Sequence, residues 1–181
     1  MDIECFDFAI NLQAEILFNP LPGTKLLVAS TTSMQTKILL DMSPMLVVSI
    51  HTSRNEELIL GLREQGQRYP LTDLSTRQVV VFGTDYKRKS TFERDSAGMR
   101  LFYYTKRITT DSGNNIYVVD FLQDDITGRI VSIDRNGRKR FVYNGCPSFN
   151  TKRSAFNPRD IVVTSTDTTI ISDQVNHAYM L

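Results

Sequence analysis

Two runs of sequence restrict the fold most: Gln78-Val79-Val80-Val81-Phe82 and Ile116-Tyr117-Val118-Val119 are apolar without alternation. A strand with water on one side alternates polar and apolar residues, whereas a strand covered on both faces does not. Both runs are strand-sized, and no segment of helical length carries an i, i+3, i+4, i+7 apolar stripe. The chain therefore reads as all-β, with antiparallel sheets sandwiched between other sheets. Further runs rich in Val, Ile, Tyr, Phe and Thr and bounded by Gly, Asn, Asp or Pro predict strands over Lys25–Ser30, Lys37–Asp41, Met45–Ile50, Leu58–Leu62, Thr91–Arg94 and Leu101–Tyr104. The same signal predicts strands over Arg129–Asp134, Arg140–Tyr143, Asp160–Thr164 and Thr169–Asp173. The first dozen residues read at most as a turn of helix.

Sheets covered on both faces by other sheets are what a propeller provides, because each blade lies between two neighbours. Repeated turns support it: Asp41-Met42-Ser43-Pro44, Asp95-Ser96-Ala97-Gly98 and Asp134-Arg135-Asn136-Gly137 each lie between strand-like runs. Asp at the first position can bond its own backbone and Gly at the fourth tolerates positive φ, so each should be a tight antiparallel connection. Short polar residues, Ser30, Asp85, Asp120 and Asp173, end the preceding strands. This register predicts a single partial propeller over 1–181, open or truncated, built of four-stranded antiparallel blades. The blades cover about 13–52, 56–104 and 105–145, with an incomplete one over 156–181. In such an arc Ile161, Val163, Ile170 and Ile171 should lack partners to bury them fully, so missing blades or self-association are expected to complete it.

Composition narrows the setting. The 21 basic and 20 acidic side chains nearly cancel over 181 residues, which excludes a basic or acidic tail as the main feature. Two cysteines, Cys5 and Cys146, cannot make a disulfide framework. The acidic start Met-Asp-Ile-Glu-Cys-Phe-Asp lacks a secretory n-region, and no apolar run approaches membrane-spanning length. A cytoplasmic protein with no membrane partner is the expectation. Charge is nevertheless uneven: residues 1–60 hold 3 basic and 7 acidic side chains, while 86–153 hold 14 basic and 7 acidic.

Asp111-Ser112-Gly113-Asn114-Asn115-Ile116-Tyr117-Val118-Val119-Asp120, followed by Gly128-Arg129-Ile130-Val131-Ser132-Ile133-Asp134-Arg135-Asn136-Gly137, resembles an NHL repeat. The tail Phe156-Asn157-Pro158-Arg159-Asp160-Ile161-Val162-Val163, then Ile170-Ile171-Ser172-Asp173-Gln174-Val175-Asn176-His177, resembles the start of the next. The wider chain is similar to the C-terminal propeller of tripartite-motif proteins of invertebrates. The match is good over 105–181 and looser over 13–104, where Ser30 stands for the family Asp and Pro44 for Gly. The resemblance implies a non-catalytic module that docks a protein, or alternatively single-stranded RNA, through one face. The RING and B-box that carry zinc and ligase activity in that family are not matched here, because Cys-x-x-Cys does not occur.

Candidate chemistry is sparse. His51 and His177 lack neighbours at metal-ligand spacing, and Asp120 and Asp173 read as turn-bonding residues. Cys146 shows no neighbour in sequence that would lower its pKa. No glycine-rich phosphate loop or nucleophile elbow is present. No catalytic group, metal or cofactor is therefore predicted. The basic residues carry the remaining signal: in the predicted register Lys87, Arg88, Lys89, Lys106, Arg107, Lys152 and Arg153 share one face, with Tyr86, Tyr104 and Phe149 among them. Cations for phosphates and rings for stacking suit single-stranded RNA. Arg135, Arg138, Lys139 and Arg140 fall on the opposite face or the outer strand.

Overall fold

The computed structural model describes residues 5–20, 23–33, 35–123, 126–151, 153–176 and 178–180. Every helix or strand assigned among them is a strand. The first sheet consists of β1 (Cys5–Ile10), β2 (Ile16–Pro20), β3 (Lys25–Ala29) and β4 (Thr36–Asp41). The second holds β5 (Leu46–Thr52), β6 (Leu58–Arg63), β7 (Arg77–Phe82) and β8 (Arg88–Phe92). The third holds β9 (Thr105–Thr110), β10 (Ile116–Phe121), β11 (Gly128–Ile133) and β12 (Lys139–Tyr143). The fourth comprises β13 (Pro158–Val163), β14 (Thr169–Asp173) and β15 (Ala178–Met180). Each sheet is an antiparallel meander in chain order, and β1, β5, β9 and β13 lie side by side as the innermost strands. Among the described residues β1 and β13 do not meet, so the sheets form an open arc.

The non-alternating runs follow from this stacking. Leu58, Leu60 and Leu62 of β6 pack with Leu17, Leu26 and Ile50 between the first and second sheets, while Ile59 packs with Val79, Val118 and Val131 on the other side. On β10, Ile116 and Val118 face the second sheet, and Val119 and Phe121 pack with Ile161 and Ile171 of the fourth and with Phe156 just before it. Each such side chain contributes roughly 1.5–3 kcal/mol when fully buried. Three apolar interfaces thus hold four sheets together. Gly61 allows the closest approach: a Cβ there would overlap the side chains of Ser49 and Thr105. The outward face of the first sheet leaves Phe8, Ile10 and Ile38 exposed at 58%, 57% and 55%.

Several expectations are corrected. Residues 5–10 form a strand rather than a helical turn. Leu46–Thr52 opens the second sheet instead of closing the first, so a unit over 13–52 would straddle two sheets. Met99–Tyr104 is not a strand. It crosses from the second sheet to the third with Leu101 and Phe102 buried between them, 3% and 0% exposed. The turn at 95–98 closes as expected, with Gly98 N–H donating to Asp95 O at 2.9 Å, yet beyond it the chain makes only an isolated Arg94–Arg100 bridge. The turn at 134–137 joins β11 to β12 by the same bond, and 41–44 links two sheets. Ile161 and Ile171 are buried against the third sheet, whereas Val163 and Ile170 are half-buried and Val162 is 52% exposed.

The crossing segment is anchored by a buried carboxylate. Asp120, 0% exposed at the end of β10, accepts the backbone N–H groups of Tyr103 and Tyr104, each at 2.7 Å, and Arg129 Nε at 2.8 Å. Arg129 donates onward to Leu101 O at 3.0 Å. Glu64, just past β6, does the same work in the second sheet: it holds Thr76 N–H and Arg77, and Arg77 reaches Tyr103 O at 2.7 Å and Arg68 O at 2.8 Å. Removing one partner of a buried pair strands the other, so Asp120→Ala should lower unfolding free energy by about 3–5 kcal/mol. A urea titration checks this, and Asp120→Asn, which keeps one acceptor, should lose less.

Candidate functional site

The innermost hairpins share one turn geometry. Residues 11–15, 53–57, 111–115 and 164–168 each close with two backbone bonds, as in Asp111 N–H to Asn115 O at 3.2 Å and Asn114 N–H to Asp111 O at 3.0 Å. Each carries a residue of positive φ at its fourth position: Ala14, Glu56, Asn114 and Asp167. The first side chain accepts from the turn in every case, through Asn11, Ser53, Asp111 and Thr164. Outer turns over 30–35, 83–87 and 134–138 emerge at the same end of the sheets, which is termed the turn face. The crossing segments 93–104 and 144–157 lie at the opposite end.

Two clefts open beside the second sheet. One, of about 420 Å³ between the first and second sheets, is lined by Ile10, Leu12, Leu58 and Tyr86 with Glu15 and Arg54 at its rim. The other, of about 840 Å³, runs along β8 against the turn of the third sheet and is lined by Ser90, Thr91, Arg94, Asp95, Arg138 and Lys139. At its inner end lies a recess of about 60 Å³ bounded by Glu57, Lys89, Asn114 and Arg135. Glu57, 5% exposed, accepts Arg135 through both oxygens at 2.9 and 3.0 Å and Lys89 at 3.2 Å, clasping the second sheet to the third.

The seven basic residues expected on one face are divided. Lys87 lies in an outer turn of the turn face, paired with Asp85 at 3.3 Å. Arg88 opens β8 with its guanidinium 6.0 Å from the Phe82 ring, and Lys89 joins the Glu57 clasp. Lys106 and Arg107 lie near the crossover end of β9. Arg107 bonds Asp7 of β1 and approaches Asp160 of β13 at 3.8 Å, so it ties three innermost strands rather than facing a ligand. Arg153 belongs to the crossing segment 144–157, at the far end from Lys87–Lys89, and Lys152 lies outside the described residues. Instead Lys89 meets Arg135 across Glu57, and Arg138 and Lys139 line the cleft that continues from it. The physical reason is strand parity: losing Met99–Tyr104 as a strand and moving Leu46–Thr52 into the second sheet makes 83–87 an outer turn, on the same end as 134–138. The cluster Arg135, Arg138, Lys139 and Arg140 is visible in sequence; Glu57 carries no sequence signal, and Asn114 stands out only as part of the NHL-like segment 111–120.

Other titratable groups are engaged structurally. Burial pushes the Asp7 and Asp120 carboxyls up against the pull of Arg107 and Arg129. For Asp173 burial also raises the carboxyl, but bonds from the Asn150 and Asn176 side chains and Asn157 N–H outweigh it and the net shift is downward. The Cys146 thiol is lowered by the backbone N–H and hydroxyl of Ser148, neighbours that its sequence context did not reveal. His177, Asp124 and Asp125 lie outside the described residues. Among the described residues no three His, Cys, Asp or Glu side chains are placed to share a metal ion.

No family model and no curated protein matches the sequence. Solved structures match the fold. A streptogramin B lyase aligns with TM-score 0.62 at 13% identity, over 98% of this chain and 51% of its own. A gluconolactonase from Xanthomonas campestris aligns with TM-score 0.57 at 11% identity, over 92% and 55%. A protein of unknown function from Bacteroides caccae aligns with TM-score 0.58 at 11% identity, over 94% and 53%. The chain thus spans about half the length of these proteins. At these identities the likeness shows the fold alone: an all-β arc of propeller blades, on a scaffold that enzymes and proteins of unknown function share.

His51 on β5 is half-buried, with Nε2 3.0 Å from Thr110 Oγ1, and loss of solvent lowers its pKa from 6.5 to about 4. Below the unfolded value the unfolded chain takes up a proton that the folded chain refuses. Stability from this group is therefore complete above pH 6.5 and declines as pH falls towards about 4. Unfolding titrations across that window should show His51→Gln losing less stability on acidification than the wild type.

Proposed function

We propose that the chain is an interaction module that docks a protein partner on its turn face, the role implied by its resemblance to tripartite-motif propellers. One observation carries the reading: two clefts flank the second sheet, and the innermost turn between them, 53–57, exposes Arg54, Asn55 and Glu56. The backbone of that turn closes on itself, and its tip side chains stay exposed although Arg54 donates to Thr164 O at 3.0 Å and Glu56 accepts from Gln13 at 3.4 Å. By contrast Asp7, Asp120 and Asp173 are committed to bonds that hold sheets and crossings. In the tripartite-motif reading, ligase chemistry belongs to other parts of a longer protein and this arc selects what is brought to them.

Selection of a displayed random-peptide library on the purified chain should enrich binders. Leu12→Asp, at an exposed cleft position, or Arg138→Glu should abolish capture of those binders without lowering the melting temperature. Hydrolysis of gluconolactone by the purified chain, with no peptide enriched, would overturn docking in favour of catalysis.

A further inference from the structure

We infer that the cleft between the second and third sheets takes an acidic, extended segment of a partner protein, laid along β8 with an N–H donor seated at its inner recess. The inference rests on the docking reading and names the partner chemistry of one cleft. Three independent features lead to it.

The first is charge. The cleft and its recess bring together Lys89, Arg94, Arg135, Arg138 and Lys139 against the carboxylates of Glu57 and Asp95. Lys139 is balanced by Asp95 at 3.2 Å, and Glu57 is shared by Lys89 and Arg135. Asp134, close by, spends one carboxylate oxygen on the N–H groups of Asn136 and Arg138. A positive surplus remains, led by Arg138, and it favours an anionic partner.

The second is an unmet polar group. Asn114 is 9% exposed and bounds the recess, and its Oδ1 has no hydrogen-bond partner. A buried carbonyl oxygen without a donor is costly, so the recess is completed by a hydrogen-bond donor. A main-chain N–H of a segment lying along β8 meets that need, whereas Lys89 and Arg135 are already spent on Glu57.

The third is shape. β8 is the outermost strand of its sheet, so its outer edge is unpaired, and Ser90 and Thr91 of that edge line the cleft. An extended segment can lie along such an edge and place alternate side chains against the cations. Nucleic acid fits less well. Single-stranded RNA needs exposed rings for stacking, and the one ring lining cleft and recess, Phe92, is 9% exposed and packed beneath Gly137.

The test is fluorescence anisotropy of a labelled alternating Glu–Ser peptide with the intact chain, beside a Lys–Ser peptide and a single-stranded oligouridylate. The acidic peptide should bind, the basic one should not, and raising salt from about 50 to about 500 mM should weaken binding several-fold. Arg138→Glu with Lys139→Glu should cost about tenfold or more in affinity. Asn114→Asp, isosteric and compatible with the left-handed backbone there, should also weaken binding by charge alone, while Arg153→Glu at the opposite end should not. Oligouridylate that binds more tightly than the peptide and is displaced by none of it would overturn the inference in favour of nucleic acid. Absence of acidic-peptide binding, with library binders still captured, would overturn it and leave docking elsewhere on the turn face standing. Absence of both would remove the docking reading itself.

Discussion

A sheet with two apolar faces cannot end in water, and this constraint governs the molecule. Ile59 looks towards the third sheet while Leu58 and Leu60 look towards the first; one strand feeds two cores. Sheets so made must stack, and innermost strands set side by side force each chain crossing to pass from the outer strand of one sheet to the inner strand of the next. Those crossings have no ladder to satisfy their backbone. Asp120 supplies acceptors for Tyr103 and Tyr104, and Arg77 and Arg129 supply donors for carbonyls of the same segment. Apolar stacking thus creates the need for buried charge, and the charge is placed where regular hydrogen bonding stops. Such pairs add little net stability over an apolar pair, yet breaking one is severe, so they act as locks on the path of the chain.

Much of this is legible in the residues. Non-alternating runs announce sheets between sheets, and Asp-x-x-Gly at 134–137 gives a correct hairpin. What misleads is local preference without tertiary context. Leu101-Phe102-Tyr103-Tyr104 has the composition of a strand, but its side chains fill the gap between two sheets and its N–H groups go to Asp120. Phe6-Asp7-Phe8 does not look like the start of a sheet, because Asp7 is a buried acid whose partner, Arg107, is far away in sequence. One strand miscounted reverses the end of the molecule to which every later turn in that sheet belongs. That is why basic residues that read as sharing one face divide between the two ends, while their uneven distribution along the chain is visible at once.

The repeat itself is better expressed in backbone than in side chains. Four inner turns share bonds and a left-handed residue at the same position, yet their first residues are Asn, Ser, Asp and Thr and the left-handed residues are Ala, Glu, Asn and Asp. Any short side chain with an oxygen can begin such a turn, so identity drifts while geometry holds. The solved structures match at 11–13% identity in the same spirit: packing pattern persists where letters do not.

Those turns have a consequence for how such a scaffold can change. Leu12-Gln13, Arg54-Asn55, Ser112-Gly113 and Ser165-Thr166 occupy the second and third turn positions, and every one of them is exposed. The turn is held by its first residue and its own main chain, while some tips reach across to another sheet: Gln13 Nε2 donates to Glu56 Oε2 at 3.4 Å, Arg54 Nη2 to Thr164 O at 3.0 Å, and Ser112 N–H to Asp167 Oδ1 at 2.8 Å. The tips form a set of writable positions on one end of the arc, outside the apolar cores beneath. Recognition can be rewritten there residue by residue, by drift or by design, at the cost of at most a polar tie between turns and without touching the apolar stacking that carries the sheets.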